Sequence, residues 1–155
     1  MKVLIAVDES EYATAIGHFV AHDQWCPDAK FVVLSAVESL KVGNLMAVLP
    51  GPILDEIFEA KWKIAQKVVS ATASSIRDAF MTATVQEEII EGHPAETILQ
   101  FSRDWDADLI VMGSHGRTGL NKLMLGSVSL AVVSHAPCSV VIVRLKVSAD
   151  NLTQQ

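Results

Sequence analysis

The sequence predicts an α/β fold, a three-layer sandwich with helices on both faces of a five-stranded parallel sheet. Three observations carry this expectation. Five apolar runs, at 3–7, 31–37, 84–90, 108–112 and 139–143, have the length and composition of strands. Segments of helical periodicity lie between them, and such alternation implies parallel pairing through right-handed crossovers. The chain has 155 residues, 50% of them hydrophobic, with no internal repeat or low-complexity tract, which suits one well-buried domain.

The run at 3–7 opens the chain and is apolar throughout, as a strand covered on both faces should be. The first helix follows, with Tyr12, Ile16, Phe19 and Val20 on one face. After the run at 31–37 comes a long connection, 40–54, unusually apolar for an exposed loop and carrying Pro50-Gly51-Pro52. It reads as a lid, a subunit contact or disorder. Asp55 is a plausible N-cap for the long second helix. Its core stripe reads as Phe58, Ala65, Val68, Thr72, Ile76 and Ala79, with Lys63, Gln66, Lys67, Ser70, Ser74 and Arg77 opposite. The run at 84–90 is charged in its middle and reads as an edge strand. His93-Pro94 starts the third helix, with Pro at the first helical position and Glu96 in the first turn. The run at 108–112 is apolar on both faces. The fourth helix starts at Ser127 and is apolar nearly all round, which implies burial on more than one side. The run at 139–143 closes the fold.

Composition excludes several classes. The net charge is −6 with no basic cluster, which argues against direct nucleic-acid binding. No apolar run is long enough to span a bilayer and no leader pattern opens the chain, so a cytoplasmic protein with no membrane contact is expected. Two cysteines, Cys26 and Cys138, form no framework and read as small buried hydrophobes in a reducing compartment.

The chemistry-bearing stretch is Gly113-Ser114-His115-Gly116, followed later by Gly126-Ser127. Glycine allows close backbone approach and positive φ. Successive N–H groups ending at a helix N-terminus make an anion site, so the stretch reads as a phosphate cradle. The alternative is a tight loop in which Ser127 merely caps a helix. It is neither a P-loop, since no Gly-Lys-Ser/Thr occurs and Lys122 lies inside the loop, nor a Gly-x-Gly-x-x-Gly fingerprint.

The spacing Gly113-x2-Gly116-x9-Gly126-Ser127 resembles the ATP-binding signature of the universal stress protein family. The opening run ending in Val7-Asp8-Glu9-Ser10, Gly92-His93-Pro94, and the closing segment from His135 to Val143 resemble that family too. The resemblance implies an adenine nucleotide alpha hydrolase-like fold with strand order 3-2-1-4-5, over a single nucleotide-binding domain at 1–147 and a polar tail at 148–155. In that order the topology reverses between strands 1 and 4, and ligands of open α/β sheets bind beyond the strand ends at such a point. Asp8 and Gly113 then converge on one crevice.

The resemblance implies a binding set of Asp8, Ala36, Val37, Met112, Gly113, Gly116, Arg117, Gly126, Ser127 and Val128, with ATP or AMP as ligand and Mg²⁺ alongside. Asp8 would contact the nucleoside end, and the backbone of Ala36 and Val37 the adenine edge. The other reading of Asp8 is an N-cap or loop-shaping carboxylate, with Ser10 also able to cap. Ser127 offers both hydroxyl and N–H at the helix start. Arg117 and His115 would meet phosphate oxygens, or else face solvent or a dimer partner. His18 and His22, spaced i, i+4, read as a solvated pair rather than a metal face. Trp25, Trp62 and Trp105 read as packing residues.

The implied role is a stress-response sensor or switch in which nucleotide occupancy alters a surface for an unnamed protein partner. The alternatives are a slow ATP-hydrolysing enzyme and an interaction protein independent of nucleotide; no catalytic residue is assigned. The apolar strand at 138–143 falls at a sheet edge, which predicts a two-fold homodimer through it unless 145–152 folds back as cover. Leu130 is expected to pack on a neighbouring subunit or the tail, or to lie deeper in the monomer.

Overall fold

In the computed structural model, which describes residues 1–26, 28–38, 51–116 and 125–145, five strands form one parallel sheet in the order β3-β2-β1-β4-β5. The strands are β1 (Lys2–Ala6), β2 (Lys30–Val37), β3 (Thr84–Glu91), β4 (Leu109–Gly113) and β5 (Ser139–Val143). The helices are α1 (Tyr12–His22), α2 (Gly51–Ala79), α3 (Pro94–Asp104) and α4 (Ser127–His135). The architecture and strand order are those expected, and each strand lies within a residue of its expected bounds.

Alternate side chains of the central strands supply two separate cores. On one face Val3, Ile5, Phe31, Val33 and Val111 pack under α1 and α2, meeting Ile16, Val20, Val69, Ala73 and Ile76. On the other, Leu4, Ala6, Val32, Leu34, Ile110 and Met112 meet Ile98 of α3 and Val132 of α4. Leu4 and Ile5 are fully buried on opposite faces of one strand. Burial of a side chain of this size contributes about 1.5–3 kcal/mol. The charged strand β3 is an edge, and Arg77 of α2 pins it by donating to Glu87 Oε1 at 2.7 Å and to the Val85 carbonyl at 2.9 Å.

Four local expectations are corrected. Helix α2 starts at Gly51, so Asp55 lies inside it and is no N-cap; Pro52 is admitted because the first-turn N–H has no intrahelical partner. The buried stripe of α2 runs through Leu54, Ala65, Val69, Thr72, Ala73 and Ile76, while Phe58 and Val68 are half-buried and Ala79 is exposed. Cys26 is exposed, because it sits in the loop after α1, and Cys138 is half-buried. Helix α4 buries one side only: Ser129 and Val132 face in, while Leu130 is 55% and Val133 45% exposed. Deeper burial of Leu130 within the monomer is thereby excluded. The rest of the connection, 40–50, and the tail lie outside the described residues. The tryptophans pack as expected: Trp25 stands edge-on to Phe31 at 5.8 Å, Trp62 pairs with Phe58, and Trp105 with Phe101.

Candidate functional site

β1 and β4 end side by side, with Ala6 in register with Met112. The loops that leave them, β1–α1 and β4–α4, meet beyond the sheet. In the first loop Asp8 Oδ1 accepts the Ser10 N–H at 3.1 Å and also accepts the Ser10 hydroxyl. The N-cap position of α1 is Glu11, which makes no side-chain cap bond. Asp8 therefore shapes the loop and does not cap the helix. Its other oxygen faces the second loop: a Cβ built on Gly116 would stand 2.6 Å from Asp8 Oδ2.

The glycines serve space rather than left-handed backbone. Gly126 has φ −64° and ψ 161°, ordinary extended values, and a Cβ there would come within 3.3 Å of His115 Cα. At Gly113 a Cβ would meet Tyr12 Cβ at 2.8 Å and Cγ at 2.9 Å, so the missing side chain makes room for Tyr12.

The two halves of the motif are tied by backbone. The Ser114 N–H donates to the Val143 carbonyl at 2.9 Å, and the Gly126 N–H donates to the Ser114 carbonyl at 2.8 Å. The buried Ser129 hydroxyl donates to the Gly113 carbonyl at 2.9 Å, fixing α4 against the end of β4. The first intrahelical bond of α4 runs from the Leu130 N–H to the Gly126 carbonyl. The N–H groups of Ser127, Val128 and Ser129 thus have no intrahelical acceptor, and the N-cap Gly126 supplies no side chain to take them. Ser127 is the first residue of the helix, exposed, and not its cap. Met112 is buried in the core and offers the crevice only its backbone; Val128 is half-buried against the same core.

Of Ala36 and Val37, one faces the crevice. In a strand the N–H and C=O of one residue point to the same side, and the side alternates along the chain. The Val7 N–H donates to the Leu34 carbonyl, and the Gly92 N–H donates to the Val37 carbonyl at 3.1 Å. Leu34 therefore bonds towards β1 and Val37 towards β3. Ala36 follows Leu34, so its donor and acceptor both point past the end of β1 into the gap.

His115 is buried, 8% exposed, which excludes the solvent-facing reading. Arg117 lies outside the described residues. Tyr12, Ser114 and Ser129 make site contacts that sequence reasoning missed. Tyr12 read only as a core position of α1, and Ser129 had one signal, an isolated hydroxyl inside an apolar helix. Elsewhere, His18 and His22 are exposed and stack at 3.9 Å. Among the described residues no group of three His, Cys, Asp or Glu is placed to hold a metal ion. Burial, and then the Asp108 carboxylate, push the Cys138 thiol up, which makes it a poor nucleophile. Among the described residues no helix is long and apolar enough to cross a membrane.

Fold and crevice define an open α/β protein of the nucleotide alpha hydrolase-like class, with a glycine-lined crevice at the switch point of its sheet. The family model "Universal stress protein family" matches residues 1–144, and the chain belongs to that family. A universal stress protein of Thermus aquaticus is 31% identical over 144 residues, covering 92% of this chain and 97% of its own. Hypothetical protein MJ0577, from Methanocaldococcus jannaschii, superposes with a TM-score of 0.78 at 26% identity, covering 95% of this chain and 97% of its own. Among more distant neighbours of the same fold, an Arabidopsis thaliana family member (TM-score 0.66, 17% identity, 100% and 97% coverage) has AMP bound. An Archaeoglobus fulgidus one (0.61, 23%, 92% and 97%) is in complex with dAMP.

Proposed function

We propose that the chain binds an adenine nucleotide, ATP or AMP, in the crevice beyond β1 and β4, and that occupancy switches a surface read by a protein partner in the stress response. The observation that carries this reading is the convergence of Asp8 with Gly116 and the start of α4. A carboxylate suited to hydroxyl groups, a donor–acceptor pair on Ala36 suited to an adenine edge, and three N–H groups at a helix N-terminus suited to phosphate surround one gap. Gly126 tests the fit, because a side chain there would enter the space between the loop and the helix start. The AMP and dAMP complexes of the fold neighbours support the same ligand class.

Phosphates would lie on the N–H groups of Ser127 and Val128, with the Ser127 hydroxyl beside them and Arg117 adding charge from its loop. The nucleoside would lie between Asp8 and Ala36. A Mg²⁺ accompanying ATP would be held chiefly by phosphate oxygens and water, its usual ligands in such sites. The free Cys26 and Cys138 suit a reducing compartment, and we place the protein in the cytoplasm. Equilibrium titration with ATP and AMP tests the reading: saturable one-site binding that Gly126→Val abolishes is expected, and no binding of either would overturn it.

A further inference from the structure

Tyr12, Ser114 and His115 form a polar cluster at the base of the crevice that the binding set above leaves unused. The Tyr12 ring lies on the bare backbone of Gly113, and its hydroxyl reaches His115 Nδ1 at 3.4 Å. The Ser114 hydroxyl reaches the same nitrogen at 3.2 Å. Ser114 is 3% and His115 8% exposed. One ring nitrogen is thus shared by two hydroxyls, one from the start of α1 and one from the β4–α4 loop. Nδ1 offers either one lone pair or one N–H, so the two hydroxyls share it in a three-centre arrangement, donating to it in one tautomer and accepting from it in the other.

The cluster spans the same two loops that meet at Asp8 and Gly116. Tyr12 is four residues beyond Asp8, and His115 directly precedes Gly116. We propose that Tyr12 and His115 are positioning residues. Their contact ties the β1–α1 loop to the β4–α4 loop, so the carboxylate at one end of the crevice and the N–H groups at the other are set as one unit before a ligand arrives. A site ordered in advance loses less freedom on binding and holds its ligand more tightly. The use of the tie in binding rests on the nucleotide reading above; the tie itself does not.

Three variants test it: Tyr12→Phe, which removes the hydroxyl and keeps the ring on Gly113; His115→Leu, which fills the space without a polar atom; and His115→Asn, which returns a polar atom near the position of Nδ1. Amide hydrogen exchange on the nucleotide-free protein is the first readout. Tyr12→Phe and His115→Leu should speed exchange at 8–11 and 114–116 together and leave β1 and β2 unchanged, and His115→Asn should move both loops back towards wild type. Affinity for AMP is the second readout. Loss of one hydrogen bond in the tie should weaken AMP by about 3- to 10-fold in Tyr12→Phe and His115→Leu, with recovery in His115→Asn and a smaller effect on adenosine. Exchange that changes only in the substituted loop, or identical behaviour of the Leu and Asn variants, would overturn the tie. Coupled exchange with unchanged AMP affinity would overturn its role in positioning. Coupled exchange in a protein that binds no adenine nucleotide would uphold the tie and overturn only the nucleotide reading.

Discussion

Gly116 stands where any side chain would strike Asp8: a Cβ there would lie 2.6 Å from Asp8 Oδ2. The two residues come from loops far apart in the sequence, and the missing side chain of Gly116 lets the two motifs close on one crevice. Their energies should therefore be coupled. Gly116→Ala should destabilise the wild-type fold and cost less when Asp8→Ala has removed the oxygen, with a coupling of about 0.5–3 kcal/mol in a double-mutant cycle. Urea unfolding of the four proteins checks this; additive effects would show that the contact is not made.

For binding, Gly116→Val and Gly126→Val should abolish ATP affinity while leaving a cooperatively folded domain. Asp8→Ala should weaken ATP less, by about 1.5–3 kcal/mol, the cost of losing hydrogen bonds to a charged group, because the phosphate contacts remain. Calorimetric titration measures both, and unchanged affinity in both glycine variants would contradict the site.

The β5 edge points to assembly. Within one chain Val140, Val141 and Ile142 are only half-buried, and no Lys, Pro or bulge interrupts the strand. Two copies related by a two-fold axis would pair these edges antiparallel and continue the sheet. Sedimentation at micromolar concentration should show a dimer or an even-numbered assembly, and Val141→Pro, which cannot donate a ladder hydrogen bond, should shift it to monomer or aggregate. A wild-type protein that sediments as a monomer would contradict the dimer.

Leu130, 55% exposed on α4, gives the complementary variant. Leu130→Glu should leave stability within about 0.5 kcal/mol, as for an ordinary surface site, and should weaken self-association if the residue meets another subunit. Unfolding of the variant would place Leu130 in a core and contradict the exposure seen here.

Turnover of ATP should be absent or very slow without a partner. Among the described residues neither a base nor a water-positioning residue stands out at the start of α4, and phosphoryl transfer depends on such positioning. A rate in the ordinary enzyme range of roughly 1–1000 per second, lost in Ser127→Ala, would favour catalysis over switching.

The alternation of strands and helices and the charged edge strand were legible in residue type, whereas the strand order, and with it the meeting of Asp8 with the glycine loop, came from the resemblance of the motifs to a known family. What escaped was contact specific to side-chain packing. That Gly113 makes room for Tyr12 could not be read from the sequence, because it depends on where the Tyr12 side chain lies. His115 read as a phosphate contact, or else as facing solvent or a dimer partner, and its burial beside two hydroxyls was not legible. The choice between Ala36 and Val37 was invisible for another reason: it is fixed by which way each backbone group points, and that follows from the register with β1 and β3. The start of α2 was misplaced because Pro50-Gly51-Pro52 reads as loop, although Pro suits a first helical turn.

The central claim, an adenine nucleotide held where β1 and β4 end, is tested most directly by amide chemical shifts recorded as AMP is added to isotope-labelled protein. The account expects saturable shifts concentrated at Asp8 to Ser10, Ala36, Ser114 to Gly116 and Ser127 to Ser129, with Gly126→Val abolishing them. Shifts confined to another surface, such as the shallow depression on α2 lined by Lys63, Gln66, Lys67 and Ser70, or no saturable shifts at all, would contradict it.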